Sequence, residues 1–120
     1  MSLGEHEAGL ELLERALQTV AETEERCYEA ELHRLKGEAL VTLGNPREGE
    51  LEFEQALSVA RGQEARLWEL RAATSFARLL SERGKQTEAR NLLKPVYGWF
   101  SEGFDTPDLI DACQVLAALH

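Results

Sequence analysis

Gly4, Gly44 and Gly84 stand 40 residues apart, and the segments they open align without a gap. A repeat constrains a fold more than any single motif, because each unit must bury its apolar face against the next. Five residues after each glycine comes a small residue (Gly9, Gly49, Ala89), and nine after it a large apolar one (Leu13, Phe53, Leu93). Ala16-Leu17, Ala56-Leu57 and Val96-Tyr97 follow in the same register. Tyr28 matches Trp68, Glu29 matches Glu69, and Gly37 matches Ala77 and Ala117. Frames 4–43 and 44–83 share nine identities over 40 positions.

Within the frames the apolar spacing is helical. Leu10, Leu13, Leu17 and Val20 fall at steps of three and four, and nothing alternates with period two, so no strands are expected. Gly44-Asn45-Pro46 reads as a glycine closing one helix, an Asn N-cap, and Pro at the first position of the next. Glu48 stands where it would complete a capping box with Asn45. Gly84 closes another helix in the same way, and Thr106 caps the last, with Pro107 at its start. Helices are expected at about 5–22, 25–43, 46–61, 64–82, 86–100 and 107–119, with a kink at Pro95. This is an all-α chain, an αα-hairpin solenoid, in one domain with frames 4–43, 44–83 and 84–120. Met1-Ser2-Leu3 reads as a cloning remnant ahead of a fragment of a longer protein.

The small residues have a structural purpose. Gly inside a helix costs up to about 1 kcal/mol relative to Ala, so Gly37 and Gly49 mark places where two helix axes approach closely. Ala56, Ala77, Ala89 and Ala117 are expected to act likewise.

Composition narrows the role. Thirteen Lys and Arg against 22 Asp and Glu give a net charge of −9, which disfavours nucleic acid and anionic membranes. No apolar run approaches the ~20 residues of a membrane span, and the first residues lack the basic and apolar regions of a leader. Two cysteines, Cys27 and Cys113, are too few for a disulfide framework and suit a reducing, cytoplasmic setting. Both read as small core residues on apolar faces.

No Gly-rich phosphate loop and no nucleophile elbow occurs. His6, His33 and His120 form no metal-ligand pattern, and Glu29 with His33 reads as an exposed ion pair. No catalytic residue, cofactor or metal site is expected, so the chain is not read as an enzyme.

Gly37, Gly44, Gly49, Phe53 and Ala56 sit at the internal spacing of the tetratricopeptide repeat, which the chain resembles from about Gly4 to His120. Ala77, Gly84, Ala89, Leu93 and Val96 repeat the pattern less well. The period is 40 rather than about 34 residues, the early Trp position holds His33 and Ala73, and the late Pro is missing. The stretches Glu25–Glu38 and Tyr97–Leu109 also resemble the C-terminal repeat region of large bacterial signalling proteins. Those proteins join a class III adenylate or guanylate cyclase, or a transcriptional-activator domain, to a signalling ATPase. This resemblance implies a regulatory or protein-interaction arm.

In such solenoids the first helices of successive pairs line a concave face. Carried over by position, that face presents Glu31, Arg34 and Glu38, then Arg71, Thr74 and Arg78, then Asp111, Gln114 and Ala118. Arg34, Glu38, Arg71, Thr74, Arg78 and Gln114 are therefore the candidate partner-binding residues. Arg71 and Arg78 share one stripe and suit bidentate carboxylate recognition of a protein or peptide. The plainer reading, which leads, is that they simply pair with Glu31 and Glu38 across the groove. The Lys/Asn set with which some family members grip a peptide C-terminus is absent.

Tyr97, Trp99, Phe100 and Phe104 either pack the last helix onto the rest or anchor another domain. The repeat phase makes helix 5–22 the second member of a pair whose partner lies upstream. Its Leu10, Leu12, Leu13, Leu17 and Val20 cover more than one face, which favours a homodimer or contact with upstream domains. Three roles stand open: an interaction module, a structural or dimerising segment, and a small-effector sensor.

Overall fold

The computed structural model describes residues 3–23, 28–100 and 106–119, with side chains at 7–18 in the first helix. These residues form six helices and no strand: α1 Leu3–Thr23, α2 Glu29–Thr42, α3 Pro46–Gly62, α4 Arg66–Glu82, α5 Gln86–Gly98 and α6 Pro107–Ala118. None is long and apolar enough to cross a membrane among the described residues. Cys27, Phe104 and His120, and the side chains of His6 and Val20, lie outside the described residues. Gly4 falls inside α1, unlike Gly44 and Gly84, which occupy turns.

The turns after α2, α3 and α4 are one structure used three times. In each, the backbone N–H three places past the last helical residue reaches back five residues: Asn45 to Leu40, Ala65 to Ala60 and Lys85 to Leu80, all at 2.8 Å. The residue before it has positive φ: Gly44 at 90°, Glu64 at 56° and Gly84 at 77°. This is the Schellman closure, which satisfies the last carbonyls of a helix. It also shortens the expected start of the fourth helix, since Glu64 and Ala65 belong to the turn. Asn45 holds the N-cap position without a side-chain cap bond, so the capping box with Glu48 does not form. The Asn45 N–H, which the Glu48 side chain would accept from, is committed to the Leu40 carbonyl instead. Thr106 has the extended backbone of a cap (φ −74°, ψ 149°) and likewise makes no side-chain cap bond. α5 passes through Pro95 and ends at Gly98, before the expected residue 100.

Packing follows sequence order. Each helix touches the next, and the even-numbered helices α2, α4 and α6 also touch in a row. Among the described residues α1 rests on α2 alone. α4 lies at the centre, with Leu70, Ala72, Ala73, Phe76, Ala77, Leu79 and Leu80 all buried. α2 and α3 approach where the small residues fall: a Cβ on Gly37 would stand 2.6 Å from the Phe53 ring, and one on Gly49 2.8 Å from the Gly37 carbonyl oxygen. Ala56, Ala77 and Ala89 are fully buried. Ala117 is exposed instead, because no described helix stands opposite it. Cys113 is exposed too; α6 buries Leu109 and Ala112, and Cys113 is one step round from that face. Burial together with a hydrogen bond to Cys113 raises the Tyr97 phenol above its ordinary pKa. Arg90 donates to the Leu119 carbonyl at 2.8 Å, fastening the end of α6 to α5.

A charged seam across three helices

The row α2–α4–α6 brings most of the sequence-derived site residues onto one line. Arg34 grips Glu31 with a two-pronged contact, Nε to Oε2 at 3.0 Å and Nη2 to Oε1 at 2.6 Å, and reaches Glu38 Oε1 at 2.9 Å. Spacings of three and four put all three side chains on one face of α2. Ser75 on α4 joins them: it accepts from Arg34 at 3.2 Å and donates to Glu38 at 2.7 Å. Arg71 lies 3.2 Å from Glu31 and 3.2 Å from Asp108, spanning α2 and α6. Arg78 pairs with Asp111 on α6. Of the two cross-groove pairings read from the sequence, Arg71 with Glu31 is present. Arg78 takes Asp111 because Glu38 is already held by Arg34 and Ser75.

Arg34 and Glu31 are largely buried, with side chains 12% and 14% exposed. Burial opposes the Arg34 charge, but Glu31, Glu38 and Asp108 more than offset it and hold its pKa above the ordinary value. Three arginines thus face four carboxylates, Glu31, Glu38, Asp108 and Asp111, leaving the seam slightly anionic.

Arg34, Arg71, Thr74 and Arg78 surround a cavity of ≈100 Å³. That is below the roughly 300–1,000 Å³ of most small-molecule sites. The Thr74 hydroxyl donates to the Leu70 carbonyl of its own helix at 2.8 Å, so it is spent locally. Glu38 and Gln114 line two flanking clefts, of ≈200 and ≈310 Å³. Arg78 borders all three spaces. Sequence reasoning missed Ser75 and Asp108 as members of the seam. Ser75 sits one position from Thr74, and both line the ≈100 Å³ cavity; Asp108 follows Pro107 at the start of the last helix, and neither has a spacing that marks it out.

A second charged cluster joins α1, α2 and α3. His33 and Glu29 are not the exposed pair expected, each being only about one-sixth exposed. His33 Nδ1 lies 2.6 Å from Glu52 Oε2, and Nε2 lies 3.9 Å from Glu29. Lys36 reaches Glu52 at 3.4 Å and Glu14 at 3.9 Å. No cluster of metal-ligating type occurs among the described residues.

The aromatic cluster divides. Tyr97 and Phe100 pack against the core, whereas Trp99 is 57% exposed, edge-to-face with Phe100 at 5.2 Å. The Arg66 guanidinium stands 4.9 Å from its ring centre. No family model, curated protein or solved structure matches the chain.

Proposed function

We propose that the chain is a non-catalytic, tetratricopeptide-like interaction and regulatory module of a bacterial signalling protein. The protein is of the cyclase- or ATPase-linked kind and works in the cytoplasm; the module is a right-handed αα-hairpin solenoid. One observation carries the reading: the helices α2, α4 and α6 stand in a row and turn one polar face, from Arg34 to Gln114, toward three clefts that all border Arg78. Repeats joined by one recurring turn produce such a face, and interaction modules of this architecture bind along it. Arg78, shared by these three clefts and 43% exposed at its side chain, is the residue on which a bound peptide would depend most.

Selection from a displayed random-peptide library tests this. The expected result is peptides that bind the chain and lose at least about tenfold affinity for an Arg78→Glu variant of unchanged helical circular dichroism. Binders indifferent to Arg78→Glu would sink the groove.

A second reading, a structural or dimerising segment without an external ligand, has its own support. All three seam arginines are held by carboxylates of the same chain, and Leu12 on α1 is 64% exposed. Light scattering over a concentration series separates the two: a stable dimer lost on Leu12→Ser favours this second reading.

A further inference from the structure

The seam holds more carboxylates than arginines; one place elsewhere reverses that ratio. Glu69, 6% exposed on the first turn of α4, receives Arg61 from the last turn of α3 at 3.0 Å and Arg66 from its own helix at 3.4 Å. Among the described residues these two guanidinium groups share this single carboxylate, so the cluster carries a surplus positive charge in a chain of net −9. Both arginine side chains are about half exposed, and they border a cleft of ≈260 Å³ closed on its far side by Asn91, Pro95 and Trp99 of α5 and its end. Trp99 leaves most of its indole in solvent beside that cleft, with Arg66 over the ring. A buried carboxylate that fixes two guanidinium groups leaves their remaining N–H donors oriented for a second carboxylate. Trp and Arg are among the residue types in which interface hot spots are enriched.

We infer that the cleft between the α3–α4 turn and the end of α5 binds an acidic peptide segment of a partner protein: an Asp or Glu side chain on Arg61 and Arg66, and a neighbouring apolar side chain on Trp99 and Pro95. Charge complementarity selects this occupant: the seam repels an added anion, and this cleft attracts one. The inference concerns a different face from the groove and stands whether or not the groove binds anything.

A Trp68→Phe background leaves Trp99 as the sole tryptophan. Its emission is followed while adding the blocked peptide Glu-Phe-Glu-Phe-Glu, with Gln-Phe-Gln-Phe-Gln as control. The expected result is a saturable change for the glutamate peptide, at least about tenfold weaker for the glutamine peptide and weakened by high salt. Arg61→Gln with Arg66→Gln abolishes it. Trp99→Ala, at an exposed position outside the core, weakens binding read by anisotropy of a fluorescein-labelled glutamate peptide. Equal response to the two peptides, no saturable response, or full binding by Trp99→Ala overturns the inference. A dimer of the chain that disappears in Arg61→Gln would make a second copy the occupant and overturn it as well.

Discussion

The hairpins α2–α3 and α4–α5 are built on one plan with different residues. At matching positions the first carries Gly37, Gly49 and Phe53, and the second Ala77, Ala89 and Leu93; all six are buried. In the first, the missing side chains make room for a phenyl ring that lies where a Gly37 Cβ would be and touches Phe76 of α4, ring centres 6.0 Å apart. In the second, methyl groups fill that space and a shorter side chain replaces the ring. What recurs is the volume of the junction, divided differently between facing positions. Surroundings differ more than the plan does. α4 is covered by α2, α3, α5 and α6 and buries ten residues, whereas α2, which has α1, α3 and α4 around it, buries three.

The comparison breaks most severely at Phe53. Phe53→Ala should cost about 3–5 kcal/mol in chemical denaturation, since it empties the junction of α2, α3 and α4. Gly49→Leu comes next, at about 1–3 kcal/mol, because its Cβ would meet both the Val41 side chain and the Gly37 carbonyl, and a rotamer change can move only the first. A melting temperature equal to the parent's would refute the close approach. Transplanting the second hairpin's solution is subtler. Gly37→Ala and Phe53→Leu should each destabilise, but the double variant should be less destabilised than their sum by about 1 kcal/mol. Additivity there would mean that volume is not shared across the pair. The smallest effect is a gain. Glu64 occupies the turn position where its two counterparts are glycine, at a cost near 1 kcal/mol for left-handed backbone. Glu64→Gly removes that strain and loses part of it to unfolded-chain entropy, leaving a net stabilisation of about 0.5 kcal/mol by thermal melting.

The helices were legible because apolar steps of three and four are a local signal, and Gly44 and Gly84 mark their turns directly. Glu64 shows the limit of that signal: the turn after α3 has the same geometry with no glycine at its left-handed position. Asn45 and Glu48 have the spacing of a capping box, yet Asn45 makes no side-chain cap bond, and its N–H, the donor Glu48 needs, goes to the Leu40 carbonyl of the preceding helix. The seam was legible by face and not by partner. Spacing places Arg71 and Arg78 on one stripe of α4, but only the packing of α6 beside it decides that Asp108 and Asp111 receive them. His33 is similar, since its contact with Glu52 comes from a different helix. The Arg61–Glu69 contact crosses a turn and carries no periodic signature; only its Arg66 half, three residues from Glu69, shows in the sequence.

The order in which the helices touch has a kinetic side. Every helix meets its sequence neighbour, and the most distant partners, α2 with α4 and α4 with α6, are separated by a single intervening helix. Short loops close before distant contacts are needed, and chains with such local topology reach the native state in roughly milliseconds or less. Assembly can spread outward from α4, the one helix that contacts both ends of the row, with α1 docking last onto a surface that α2 alone provides.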